Sequence, residues 1–451
     1  MKFNISHLGV IDSCEIESNK LVILTGENNT GKTYIASAIY GFIKYLKHNL
    51  QINFHKDDFE TLNNGSELII DTKNYFSDIA TGIQTCANSF SAKNFSNIFR
   101  GNPERYKNAK ITIKPEPNFP LHVPLSATAV ISKKNGKAFT FSQSMKNGNI
   151  SIHPMTPEGE KIPLNLIISS FSTIIADSIF PNMYYLCAQR SGIEEFQVEI
   201  DGYRSQLVDI LQRNESKNQG MELLNAKTEK YPLIVSDYLS LARSNRIREK
   251  ERTASIMDND LQDTYQNIVG GSFSHEGQII TFKPLEQENN NLTLPETSSS
   301  VHALMGIYEI SRYIRRDDLV FFDEPEANLH PVNQRRMARF IAQIVHKGIK
   351  VMVSTHSDII IRELNTLILF SNYKGNSKLL QLAHEEGYHE SEFLYPEDIN
   401  CYVSEKKKGN TYNFGKKAVS AEEGIEISSF DTTIEEINRI QDTISEVWYA
   451  K

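Results

Sequence analysis

Eight residues near the start of the chain, Gly26-Glu27-Asn28-Asn29-Thr30-Gly31-Lys32-Thr33, have the GxxxxGK[ST] spacing of a phosphate-binding loop. The chemistry this spacing serves is electrostatic. Glycines let the main chain come close to phosphate oxygens, whose charge is met by loop N–H groups, including those of Asn28, Asn29 and Thr30, and by the N-terminus of the helix that follows. Lys32 would bridge the β- and γ-phosphates of ATP, and Thr33 would offer its hydroxyl oxygen to Mg²⁺. Far along the chain, the apolar run Leu319-Val320-Phe321-Phe322 ends in Asp323-Glu324. A strand buried on both faces would deliver that pair at its C-terminal end, the edge of an α/β sheet where ligands bind. There Asp323 would hold Mg²⁺ through water, and Glu324 would orient the attacking water. One helix and one strand later, Ser354-Thr355-His356-Ser357 brings His356 to the neighbouring strand end, within reach of a γ-phosphate.

These residues need a scaffold, and the flanking patterns supply one. The loop follows the apolar run Leu21-Val22-Ile23-Leu24 and precedes Ile35, Ala38, Ile39, Phe42, Ile43 and Leu46, whose helical spacing makes one continuous stripe. After Asp323-Glu324 the same logic gives a helix with Met337, Phe340, Ile341, Ile344 and Val345 on one face, then a strand from Ile349 to Val353. The alternation between 301 and about 368 reads as an α/β half-sheet, completed by the N-terminal strands into one sheet. Between about 108 and 162 short β segments, with Asn135-Gly136 and Asn147-Gly148 as turn signals, predict a small antiparallel meander. From 194 to 265 the chain is charged and helix-favouring, with Leu207, Val208 and Leu211 as a partial stripe, which predicts a helical insertion or lid. Strand signals return from Gln278 to Phe282. The expected division is an ATPase lobe over 1–193 carrying a β-rich insertion, the helical insertion over 194–265 and a second ATPase lobe over 266–395. The region 396–451, with Lys406-Lys407-Lys408 and a final helix ending near Trp448, is expected to be a C-terminal tail and receives no role. No repeat of fixed period is present.

With 451 residues, 39% hydrophobic and 23% charged, the composition is that of a globular protein large enough for a composite core. A formal net charge of −8 argues against coating nucleic acid with the whole surface. A local basic stretch, Arg243, Arg246, Arg248, Lys250 and Arg252, is interrupted by Glu249 and Glu251; it reads as a solvated helix face, with nucleic acid or a partner protein as the alternative. Apolar runs fall far short of the roughly 18 residues that span a bilayer, so no membrane partner is expected. The start, Met1-Lys2-Phe3-Asn4-Ile5-Ser6-His7, lacks the pattern of a signal peptide, and a cytoplasmic location is expected. Cys14, Cys86, Cys187 and Cys401 are too scattered for a zinc site or a disulfide scaffold and read as reduced and structural.

The phosphate loop, the stretch Asp323-Glu324-Pro325-Glu326-Ala327-Asn328-Leu329-His330-Pro331 and Ser354-Thr355-His356-Ser357 resemble the ATPase heads of the OLD-like branch of the ABC and SMC superfamily. That branch includes ATPase subunits of bacterial anti-phage systems such as Septu, PARIS and some retrons. The resemblance covers residues 1–46, 183–196 and 266–370. It implies an α/β, ABC/SMC-type P-loop ATPase head carrying the β-meander arm and the helical insertion. It also implies ATP and Mg²⁺ sandwiched between two copies of the chain, in a dimer or a higher even-numbered oligomer, and a separate effector such as a nuclease or toxin controlled by the ATPase. In such heads a glutamine-bearing loop follows a strand, which assigns Gln189, in Met183-Tyr184-Tyr185-Leu186-Cys187-Ala188-Gln189-Arg190-Ser191-Gly192, to the nucleotide and its metal. They also carry a serine-rich signature before the acidic strand; Thr297-Ser298-Ser299-Ser300 matches it, so Ser298 and Ser299 would receive the γ-phosphate of the opposite subunit, although a helix N-cap cluster looks the same.

Two departures bear on function. The signature lacks the paired glycines of transporter ABC proteins, which speaks against a transporter subunit. Asn29 stands where many such heads have glycine, a substitution suited to left-handed backbone. An SMC-like DNA-repair or DNA-maintenance ATPase is the alternative; it calls for a long heptad coiled coil, and 194–265 has no sustained a/d repeat. A nuclease domain of the TOPRIM kind is not expected after His356, where no Asp-x-Asp pair ends a strand.

Overall fold

A computed structural model describes residues 1–64, 66–114, 140–143, 149–153, 164–196, 231–247, 256–276, 279–286, 291–407, 409–426 and 438–444. The chain begins with strands β1 (Lys2–Leu8), β2 (Ile11–Glu17) and β3 (Leu21–Thr25), followed by helices α1 (Lys32–Asn49) and α2 (Lys56–Asn63), β4 (Leu68–Asp71), α3 (Phe76–Ser89), α4 (Ala92–Phe99) and β5 (Lys110–Lys114). Its middle supplies β6 (Thr140–Gln143), β7 (Asn149–His153), α5 (Leu164–Ile179), β8 (Met183–Leu186), α6 (Leu233–Ile247), α7 (Asn259–Val269), β9 (Gly271–Glu276), β10 (Ile279–Pro284) and β11 (Leu292–Thr293). The last part runs α8 (Ser299–Ser311), β12 (Leu319–Asp323), α9 (Pro331–His346), β13 (Lys350–Thr355), α10 (Asp358–Phe370), α11 (Ser377–Glu385), β14 (Ile399–Lys406), β15 (Tyr412–Lys417), β16 (Val419–Ser420) and β17 (Gly424–Ile425).

Every residue of β3 is buried, which suits a strand covered on both faces. It lies inside a nine-stranded sheet of order β5-β1-β2-β15-β14-β3-β13-β12-β8. Strands β14, β3, β13, β12 and β8 run parallel to their neighbours in that block. At the other end β1 pairs antiparallel with both β2 and β5. The apolar stripe of α1 is buried from Ile35 to Leu46 and packs on β12 and β13, so the helix is held with its N-terminus at the C-terminal end of the parallel strands. Helix α9 buries Met337, Phe340, Ile341, Ile344 and Val345, as its spacing predicts.

Three expectations come out differently in the described residues. The meander foreseen over 108–162 divides. Strand β5 joins the edge of the main sheet, turning Ile111 and Ile113 inward, while β6 and β7 form a three-stranded antiparallel sheet with β4. Asn135-Gly136 and Asn147-Gly148 lie outside the described residues. Helices do occur within 194–265, but α6 buries Ile234, Tyr238, Leu239 and Ala242, and α7 buries Leu261, Tyr265, Ile268 and Val269, so both pack into the core. Leu207, Val208, Leu211, Arg248, Lys250, Arg252 and Gln278 fall outside the described residues, as does Trp448.

The third difference is the largest. Residues 396–426 are not an appendage: β14 and β15 sit between β3 and β2, bridging the parallel and antiparallel blocks of the sheet. Two of the polar groups this brings inside find partners across the sheet. Asn400 Nδ2 donates to the Glu17 carbonyl (2.9 Å), and the Glu17 N–H donates to the Tyr402 hydroxyl (2.8 Å). Cys14, Cys86, Cys187 and Cys401 are free and buried, and burial pushes the Cys187 and Cys401 thiols up to about 12. No described helix is long and apolar enough to cross a membrane.

Candidate nucleotide and metal site

Strand β3 ends at Thr25, and the chain turns back on itself to start α1. The turn requires glycine at Gly26, where φ is 132° and a Cβ would lie 1.9 Å from the Ser404 hydroxyl of β14. Asn29 takes the left-handed conformation, φ 63°, in line with its residue type. At the N-cap of α1 is Gly31, and no side chain caps the helix, so the amides of its first turn face the cleft. Thr30 Oγ1 donates to the Glu27 carbonyl (2.9 Å), closing the loop. Lys32 folds over it, its ammonium donating to the carbonyls of Gly26 (2.8 Å) and Glu27 (2.7 Å). Burial lowers the Lys32 pKa, against the opposing charges of Glu324, Glu326 and Asp323.

The acid pair reaches this loop from the far strands. Thr33 Oγ1 donates to Asp323 Oδ1 (2.9 Å), which also accepts from the Ser354 hydroxyl on β13. Asp323 Oδ2 is buried with no hydrogen-bond partner. Burial raises the Asp323 pKa, and the hydrogen bonds from Ser354 and Thr33 oppose it. A hydroxyl and an unpaired carboxylate oxygen side by side, below a loop built for phosphates, fit Mg²⁺, a hard cation that takes few protein ligands and shares the rest with phosphate and water.

Glu324 follows in left-handed backbone, φ 50°. Its N–H donates to the Ser354 carbonyl (2.9 Å). His356 Nδ1 lies 3.7 Å from Glu324 Oε1 and 3.4 Å from Glu326 Oε1. Glu326 is buried and anchors the turn after β13: its Oε1 accepts from Thr355 Oγ1 (2.8 Å), the His356 N–H (2.9 Å) and the Ser357 N–H (3.2 Å). Asn28 to Thr33, Glu324 and His356 line one open cleft of about 670 Å³, closed on another side by Gly9 and Val10 of the β1–β2 turn and by Tyr34.

Five expected residues are not among those lining this cleft: Gly26 and Asp323, which are tied to it through Lys32 and Thr33, and three that are not tied to it by any hydrogen bond among the described residues. Gln189 is exposed in the turn after β8, at the same sheet end as Asp323, because β8 pairs with β12. Ser298 is the N-cap of α8, and Ser299 opens that helix; both are exposed, with the Ser298 and Ser300 hydroxyls 2.8 Å apart. Residues that sequence reasoning passed over take structural positions instead. Arg190, next to Gln189, is fully buried and donates to the carbonyls of Asp323 (2.9 Å) and Glu324 (3.0 Å). Glu326 belongs to the acidic stretch after β12, and Ser404 to β14, where type and spacing alone suggest no role.

No curated protein matches the chain. Among solved structures, an SMC head bound to the C-terminal winged-helix domain of ScpA is 10% identical, covering 92% of this chain and 97% of that one with a TM-score of 0.35. The SMC head domain from Thermotoga maritima is 11% identical, covering 93% of this chain and 98% of that one with a TM-score of 0.29. Residues 1–361 of the 451 match the family model described as an AAA ATPase domain. With its phosphate loop, acid pair and histidine all inside that span, the chain belongs to the AAA ATPase domain family.

Proposed function

We propose that this protein binds Mg·ATP in the cleft between α1 and the ends of β3, β12 and β13, and hydrolyses it. The observation that carries the reading is the Thr33–Asp323 hydrogen bond, which joins the phosphate loop to the acidic strand with Glu324 and His356 beside them. The α1 N-terminus and the loop amides would take the phosphates, and Lys32 would exchange two backbone carbonyls for β- and γ-phosphate oxygens. Thr33 and Asp323 would hold Mg²⁺, which when bound offsets phosphate charge. Glu324 would accept a proton from the attacking water or orient it, and His356, held by Glu326, would face the γ-phosphate. Gln189 would approach the nucleotide and metal only after its turn shifts toward the cleft.

Beyond the ATPase, we propose a switch. Ser298 and Ser299 are exposed and do not line their own cleft, as a site for the γ-phosphate of a second copy would be. ATP would then close a dimer and hydrolysis reopen it, with a separate effector reading the two states. A role in a bacterial anti-phage complex, with a nuclease or toxin as effector, is supported by the resemblance of the motifs described above.

The Glu324→Gln protein tests the reading. It keeps side-chain shape and leaves Asp323 intact, so ATP should bind while phosphate release falls by about 10²- to 10⁴-fold, the usual share of a general base. Trapped ATP should then accumulate a closed dimer, seen by size-exclusion chromatography with light scattering with and without Mg·ATP. Wild-type turnover by this variant would remove Glu324 from the mechanism. Lost turnover without any nucleotide-dependent assembly would keep the catalytic assignment and end the sandwich model.

A further inference from the structure

Among the described residues Arg190 is the largest of the fully buried side chains, and its four hydrogen bonds all go to main-chain carbonyls, none to a carboxylate. Its Nε donates to the Ala303 carbonyl (2.8 Å) in α8. One terminal nitrogen donates to the carbonyls of Cys187 (3.2 Å) and Asp323 (2.9 Å), and the other to that of Glu324 (3.0 Å). A planar guanidinium has five donors in a fixed fork, and here the fork joins three segments that are distant in the sequence: the turn after β8, the helix opened by Ser299 and the end of β12.

Two features make this more than a core contact. Glu324 is a non-glycine residue at φ 50°, a backbone state that persists only when its surroundings hold it. It is held from both sides, by its own N–H on the Ser354 carbonyl and by Arg190 on its carbonyl oxygen. Ala303, in turn, lies about one turn from Ser299 along α8.

We propose that Arg190 is a positioning residue of this ATPase: it fixes the backbone that aims the Glu324 carboxylate into the cleft, and it ties that backbone to α8, the helix whose first turn would meet the second copy's γ-phosphate. The proposal rests on the ATPase reading above and adds its regulation. A displacement of α8 on engaging phosphate is transmitted through the guanidinium to Asp323 and Glu324, so hydrolysis in one cleft answers to docking of the other copy. Nucleotide affinity, carried by the phosphate loop, does not depend on this link.

The test is Arg190→Lys, with Arg190→Met beside it, comparing ATP affinity by titration of a fluorescent ATP analogue, kcat and KM for phosphate release, and melting temperature. Lysine keeps the charge but lacks the fork. The expected result is a folded Arg190→Lys protein with analogue affinity and KM within about twofold of wild type and kcat lowered at least about tenfold. Unchanged kcat in a folded Arg190→Lys protein would overturn the proposal, as would parallel losses of affinity, kcat and melting temperature, which mark a purely structural part. Should neither variant fold, hydrogen exchange on the wild-type protein decides. A non-hydrolysable ATP analogue with Mg²⁺ should protect the amides of 299–307 and 323–328 together, and protection of one segment alone would overturn the link. Failure of the ATPase reading itself looks different, since Lys32→Ala and Glu324→Gln would then hydrolyse ATP like the wild type.

Discussion

Lys32 starts out occupied, its ammonium on the carbonyls of Gly26 and Glu27, where it lies among the carboxylates of Glu324, Glu326, Asp323 and Glu27. ATP offers the same ammonium stronger acceptors, because hydrogen bonds between charged partners exceed those to neutral carbonyls. Lys32→Ala should therefore weaken ATP binding by about a hundredfold, the equivalent of about 3 kcal/mol for a lost charge-assisted contact. Isothermal calorimetry reads this directly, and an unaltered dissociation constant would remove Lys32 from the phosphate site. At this scale the residues with a side-chain task stood out in the sequence: a loop lysine, a strand-end acid pair and a histidine are recognisable by type and spacing. Arg190 and Glu326 did not stand out, and for one reason. Arg190 and, in large part, Glu326 act on main-chain carbonyls and N–H groups, which carry no residue identity and meet only in the fold.

Elements differ in the same way. The strands β3, β12 and β13 and the helix α1 announce themselves through unbroken apolar runs or a long stripe, and each lies where its pattern implies. The first five residues of β14 are as buried as they are, yet they read Ile399-Asn400-Cys401-Tyr402-Val403. Asn and Tyr look out of place in a central strand until Glu17, 383 residues before Asn400, supplies the missing partners from the β2 end of the sheet. Because β14 and β15 fill the gap between β2 and β3, a chain ending at residue 395 should lose the bridge between the two halves of the sheet and expose the edge of β3. We expect it to aggregate, with no cooperative melt by circular dichroism. A soluble truncated protein that still binds ATP would refute the bridging role. A milder change, Tyr402→Phe, leaves the Glu17 N–H without its acceptor and should lower unfolding free energy by about 1–2 kcal/mol in urea titration.

For the whole molecule the question is which chain completes which cleft. The phosphate loop, Asp323, Glu324 and His356 converge within one copy, whereas Ser298 and Ser299 are exposed and do not line that cleft. No feature of a single chain decides whether those serines act in trans, since an N-cap cluster and a phosphate-receiving turn have the same residue types. Mixing two inactive proteins can decide it. Lys32→Ala damages the phosphate loop and spares the serines; Ser299→Arg blocks the serine turn and spares the loop. Each alone should release little phosphate. If every active site combines the loop of one copy with the serines of the other, a mixed dimer holds one site with both defects and one site with neither. An equal mixture, half of it mixed dimers by random pairing, should then recover about a quarter of wild-type turnover, rising and falling with the proportion of the two proteins. Sites contained within one chain would give no recovery at any ratio, because each copy would carry its own defect. Recovery requires exchange of subunits, so the mixture should be made without nucleotide and only then given Mg·ATP. A mixture that stays inactive, although light scattering shows dimers from both proteins, would leave Ser299 as a residue of the first turn of α8 with no role in the other copy's cleft.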